Sequence, residues 1–140
     1  MQSKMLYATP CSEKKYPFLM DVADFVLYRS IRIPWVRLKA YNERADFMIL
    51  SGRKGLRRPT DRGSTYKYLL EDSAVGELAQ TVAEQLRRSD IDAVKFFCES
   101  DQELEPYRRT MREACAVAGK QFIDVPIVET GVEPFVIRRA

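Results

Sequence analysis

Asp46-Phe47-Met48-Ile49-Leu50-Ser51-Gly52 sets a continuous apolar run between an aspartate and a Ser-Gly pair. A short run of this kind, apolar without alternation, is the pattern of a strand covered on both faces, as in a parallel sheet with helices above and below it. Three further segments extend the pattern outward. Residues 4–9 (KMLYAT), closed by Pro10, read as a first buried strand, residues 93–98 as a third and residues 121–128 as a fourth. Between them Val75, Leu78, Ala79, Val82 and Leu86 recur at helical spacing, with Asp72 or Ser73 available as N-cap and Arg87-Arg88 at the end. Pro106 suits the first turn of the next helix, Tyr107, Met111, Ala114, Cys115 and Ala118 make its apolar face, and Gly119 ends it. Across residues 17–44 the helical spacing of Leu19, Val22, Ala23, Val26 and Leu27 is interrupted by Pro34 and resumed by Trp35, Leu38 and Tyr41, which predicts two helices or one broken helix. The tail from residue 129 is a last edge strand at 134–137 or disordered. Alternation of strands and helices predicts one α/β domain over residues 1–140, a three-layer α/β/α fold with a small, mostly parallel sheet.

The chain of 140 residues is 46% hydrophobic and 31% charged, the balance of a globular protein. It contains no apolar run of membrane-spanning length and no signal peptide, so a cytoplasmic location without membrane partners is expected. The three cysteines, Cys11, Cys98 and Cys115, are odd in number and widely spaced, which argues against a disulfide framework and against CxxC-type zinc sites. Cys98 and Cys115 are expected to be buried. Histidine is absent, which removes every mechanism that needs imidazole. No cofactor or metal site is read from the sequence. The net charge of +3 matters less than its clustering.

That clustering falls after Leu50. In an open α/β sheet, ligands bind beyond the carboxyl ends of the strands, and three loops meet this condition, after Thr9, after Leu50 and after Cys98. The second, read as a long loop over residues 52–66, offers Gly52 and Gly55 for close backbone approach and Arg53, Lys54, Arg57, Arg58 and Arg62 for charge. Its amides suit an anion-binding nest and its arginines suit phosphate. The same residues also fit a solvated basic turn whose glycines serve backbone geometry alone, and the GxxxxGK[ST] spacing of a P-loop is missing. The first loop adds Ser12, Lys14 and Lys15. The third adds Glu99, Ser100 and Asp101, with Glu99 a candidate general base or acceptor of ribose hydroxyls. Tyr66 and Tyr107 could stack on a base, although Tyr107 lies on the helix face assigned to the core.

Ser51-Gly52, Gly55, Arg58-Pro59, Asp61 and Tyr66 form an SGxxG[VL]xRPxDxxxxY pattern that resembles the YaaA-like family of peroxide-stress proteins. The segment from Thr9 to Lys15 is similar to the serine-and-lysine loop after the family's first strand, and Glu99-Ser100-Asp101 with Tyr107 to a third signature. Lys54 stands where the pattern has an aromatic residue, and Thr65 where it has proline. The resemblance implies a nucleic-acid-directed role in oxidative stress or DNA protection. The expected function is therefore the binding of a nucleotide or nucleic acid, with Ser12, Lys14, Lys15, Ser51, Gly52, Lys54, Gly55, Arg58, Tyr66, Ser100 and Tyr107 at the site and Arg58 and Ser51 foremost. The alternative is an N-glycosidase-type enzyme acting on a nucleotide or modified base, with Asp61 or Glu99 as the carboxylate that activates water.

Overall fold

A computed structural model of the chain describes residues 3–11, 22–23, 32–59, 62–63, 70–129 and 135–138. The elements, in chain order, are β1 (Met5–Pro10), β2 (Val22–Ala23), α1 (Arg32–Asn42), β3 (Asp46–Ser51), β4 (Gly55–Arg57), β5 (Arg62–Gly63), α2 (Val75–Arg87), β6 (Ala93–Cys98), α3 (Glu105–Ala118), β7 (Gln121–Glu129) and β8 (Phe135–Ile137). The main sheet has the order β4-β3-β1-β6-β7-β8. Its four inner strands are parallel, and the short edge strands β4 and β8 run antiparallel to β3 and β7. β2 and β5 form a separate antiparallel pair.

Side chains alternate across a strand, and the two faces of the sheet fill accordingly. Leu6, Ala8, Val94 and Phe96 meet the buried stripes of α2 and α3, including Leu78, Val82, Leu86, Met111 and Ala114. Tyr7, Phe97, Val125 and Ile127 meet Val36 and Ala40 of α1 on the other face. The three-layer arrangement follows, with each large side chain that is fully buried contributing about 1.5–3 kcal/mol. Cys98 and Cys115 are buried as expected, and so is Cys11. Gly119 closes α3 in the left-handed conformation at φ 72°, while Pro106 sits in its first turn.

Five expectations need correction. Pro34 does not interrupt a helix. It lies in the first turn of α1, where its missing N–H costs nothing. The helical period there is right but the face is not: Ile33, Val36 and Ala40 are buried, whereas Leu38 and Tyr41 are exposed by 59% and 80%. Val22 and Ala23 pair with Gly63 and Arg62 instead of continuing a helix, a contact between distant segments that local periodicity cannot reveal. Neither Asp72 nor Ser73 caps α2. Both belong to a 3₁₀ turn, Ala74 occupies the cap position without a side-chain bond, and the Asp72 carboxylate accepts from Arg109 instead. Finally, residues 52–66 are not one long loop, because Gly55–Arg57 forms β4 directly after a turn. Three residues are too few for any period to show.

Candidate functional site

The order β3-β1-β6 brings the ends of three parallel strands to one edge of the sheet, side by side. β1 leads to α1 and β3, and β6 leads to α3 on the opposite face and β7 on the opposite side. The boundary between β1 and β6 is thus a topological switch point, where an open α/β sheet leaves a crevice.

Two buried arginines meet at the end of β6, Arg32 from the β1 side and Arg108 from the β7 side. Arg32, at the start of α1 and 4% exposed, donates through Nη2 to the carbonyls of Pro10 at 2.8 Å and Cys11 at 3.3 Å, and through Nη1 to Oε1 of Glu99 at 2.7 Å. Arg108, in the first turns of α3 and 6% exposed, donates through Nη2 to the carbonyls of Cys98 at 3.3 Å and Glu99 at 3.0 Å. Its Nε and Nη1 reach Asp124 and Glu105. A strand that ends inside the protein leaves carbonyls without ladder partners, and here guanidinium groups satisfy them. Glu99 is gripped from both sides, by its side chain and by its backbone, while 23% of its side chain stays exposed. Burial pushes the neighbouring Cys98 thiol up to about 12, against the pull of both arginines, so it stays protonated at neutral pH.

The basic turn after β3 is organised from within. Ser51 is 1% exposed, and its Oγ accepts from the amides of Arg53 at 3.3 Å and Lys54 at 3.2 Å. Gly52 is buried and Lys54 is exposed at the tip. Gly55 has φ 79°, and a Cβ there would stand 2.5 Å from Oε1 of Gln85. The close approach expected at Gly55 is present, with a positive φ beside it, and the approaching group belongs to the protein. The Gln85 amide accepts from Leu56 N–H and donates to Leu56 carbonyl, each at 2.8 Å, so α2 grips β4 as a neighbouring strand would.

β4 then carries the chain away from the site. Arg57 pairs with Ile49, so Arg58 lies roughly 10 Å back from the carboxyl edge at the strand rise. Arg58 and Pro59 line a cleft of about 590 Å³ at the amino ends of the strands, with Lys4, Asp46 and Arg88. Arg58 is therefore not brought together with Ser51, Lys54 and Glu99, because the expected loop is a hairpin. Tyr107 offers no face to a base. It is 1% exposed, and its hydroxyl accepts from Leu70 N–H at 3.2 Å and from the Cys11 thiol at 3.6 Å. Ser100 is exposed at the edge and accepts from Arg138 just after β8. Ser12, Lys14, Lys15, Asp61 and Tyr66 lie outside the described residues. Sequence reasoning missed Arg32, Arg108 and Gln85. Pro106 two residues before Arg108 marks a helix start beside a strand end, and it was the one local signal of that site. Among the described residues, no group of three or more Cys, Asp or Glu is placed to hold a metal ion.

Together these features define an α/β protein with a topological switch point between β1 and β6, where Arg32 and Arg108 hold Glu99 at the end of β6. No protein-family model, curated protein or solved structure matches the chain.

Proposed function

We propose that the protein binds a phosphate-bearing nucleotide or a nucleic-acid strand at the carboxyl edge of its sheet. The observation that carries the reading is the meeting of β3, β1 and β6 at one edge, with Glu99 and the buried Arg32 at the switch point and the Arg53-Lys54 turn two strands away. Open α/β sheets place ligands at such a point, and the turn supplies cations where a phosphate would approach. The resemblance to YaaA-like proteins extends the proposal to DNA protection or oxidative stress in the cytoplasm. Among the described residues no helix is long and apolar enough to cross a membrane.

Titration with nucleoside monophosphates and short DNA at two salt concentrations tests the reading. Binding is expected, and Arg53→Ala with Lys54→Ala should weaken it. For a single strand, removing one cation that pairs with a phosphate should lower the salt slope by about 0.7. Absence of binding to every probe would overturn the proposal. The fixed position of Glu99 also favours a second reading, an N-glycosidase-type activity in which this carboxylate activates water. Release of free base from a bound nucleotide, abolished in Glu99→Gln, would establish it.

A further inference from the structure

A carboxylate accepts hydrogen bonds and donates none, so Glu99 limits what can lie beside it. Its Oε1 is committed to Arg32 at 2.7 Å, and Arg32 is itself held by the carbonyls of Pro10 and Cys11. The backbone carbonyl of Glu99 is fixed by Arg108 at 3.0 Å. The carboxylate cannot swing without breaking its bond to the buried Arg32, and the backbone it stands on is held by Arg108. Oε2 receives no hydrogen bond from a described residue, and the side chain keeps 23% of its surface exposed. An oriented anion of this kind repels phosphate and attracts a hydroxyl or an N–H. Phosphate would instead approach the Arg53-Lys54 turn after β3, two inter-strand spacings away, or about 10 Å.

We infer that Glu99 reads a hydrogen-bond donor on the ligand, and that the site takes a molecule of nucleoside-monophosphate size with its phosphate toward the Arg53-Lys54 turn and a sugar hydroxyl or base N–H on Oε2 of Glu99. The inference rests on the nucleotide reading above. It adds a polarity to the site, an acceptor at β6 and cations after β3, that a bare phosphate cannot satisfy. Arg32 is a positioning residue, acting on the ligand through the carboxylate it holds.

The test uses the full chain with adenosine and guanosine 5′-monophosphates, their 2′,3′-dideoxy analogues, the analogues lacking the exocyclic amine, and inorganic phosphate. Removing the donor that meets Glu99 should weaken binding roughly ten- to a hundredfold, the scale of one charge-assisted hydrogen bond. The sugar and amine arms tell the two donor sources apart. In Glu99→Gln the amide oxygen stays on Arg32 and an NH₂ turns toward the ligand, so the parent nucleotide should lose that same factor and the analogue without the donor should lose none. If wild-type protein binds the parent and both analogues equally, or if Glu99→Gln weakens all of them alike, the inference falls while the nucleotide reading stands. If no nucleotide or oligonucleotide binds, both fall. Should Glu99→Gln fail to fold, the wild-type analogue series decides alone.

Discussion

At position 55 two requirements coincide: the backbone is left-handed at φ 79°, and the space a side chain would fill is taken by the Gln85 amide. Valine there would strain the backbone and displace the group that bonds Leu56 on both its N–H and its carbonyl. Gly55→Val should lower stability by about 1–3 kcal/mol, measured by urea unfolding. Gln85→Ala removes the same clamp without the strain, so the double variant should lose less than the sum of the two. Strict additivity would show that glycine and glutamine act independently. Ser51→Ala, which releases the amides of Arg53 and Lys54, should cost about 1 kcal/mol. Ser51 and Gly55 thus have internal work to do, shaping the turn that carries Arg53 and Lys54. The sequence pattern that drew attention to them marks a backbone conformation.

Elements were legible in proportion to their length and to how local their causes are. α2 and α3 show their buried stripes in the sequence because the 3.6-residue period repeats over three or more turns. The inner strands show as unbroken apolar runs because both faces are covered. α1 has two apolar stripes, and sequence alone did not tell Ile33-Val36-Ala40 from Trp35-Leu38-Tyr41, since the choice depends on which side the sheet lies. β4 is too short to show a period, and its antiparallel return moved Arg58 off the expected edge. Of the expected arrangement, the meeting of three strand ends was legible from the alternation of elements, and with it the place of Glu99 just after β6. The arginines that hold Glu99 were not, because an arginine reads as surface until the strand ends it serves are in view. Arg108 joins α3 to the end of β6 through Cys98 and Glu99 and to the middle of β7 through Asp124. Arg108→Met should therefore cost about 2–3 kcal/mol by urea unfolding, below the full penalty of a broken buried pair because Asp124 and Glu105 are partly solvated. Arg108→Lys should recover only part of it, since one ammonium cannot span the same acceptors. Stability equal to wild type in Arg108→Met would mean that water serves these carbonyls as well.

The whole chain lacks histidine, so no side chain carries an ordinary pKa near neutrality, and stability should be flat across the neutral range. The alkaline side is different. Burial pushes the thiols of Cys98 and Cys115 up to about 12 from an ordinary 9.0, and burial with a hydrogen bond to Glu43 takes the Tyr7 phenol to about 12 from 10.0. A group whose folded pKa lies above its unfolded one holds its stability in full below the unfolded value. It loses that stability as pH rises from there through the folded value. For the thiols the window opens near 9, for the phenol near 10, and both close near 12. On the acid side, hydrogen bonds from Lys39 and Tyr7 hold the Glu43 carboxyl below its ordinary 4.5, so its contribution is present above that value and lost as pH falls below it. Unfolding free energy measured from pH 4 to 11 should therefore show a plateau through neutrality and a steep fall above about 9. Each of these groups adds about 1.4 kcal/mol per pH unit to that fall while the unfolded form ionises and the folded form does not. Cys115→Ala lacks one such group on the α3 face and should fall less steeply than wild type by about that amount, whatever it costs at neutral pH. A transition near pH 6–7, or an alkaline slope unchanged in Cys115→Ala, would show that protons bind elsewhere than at these buried groups.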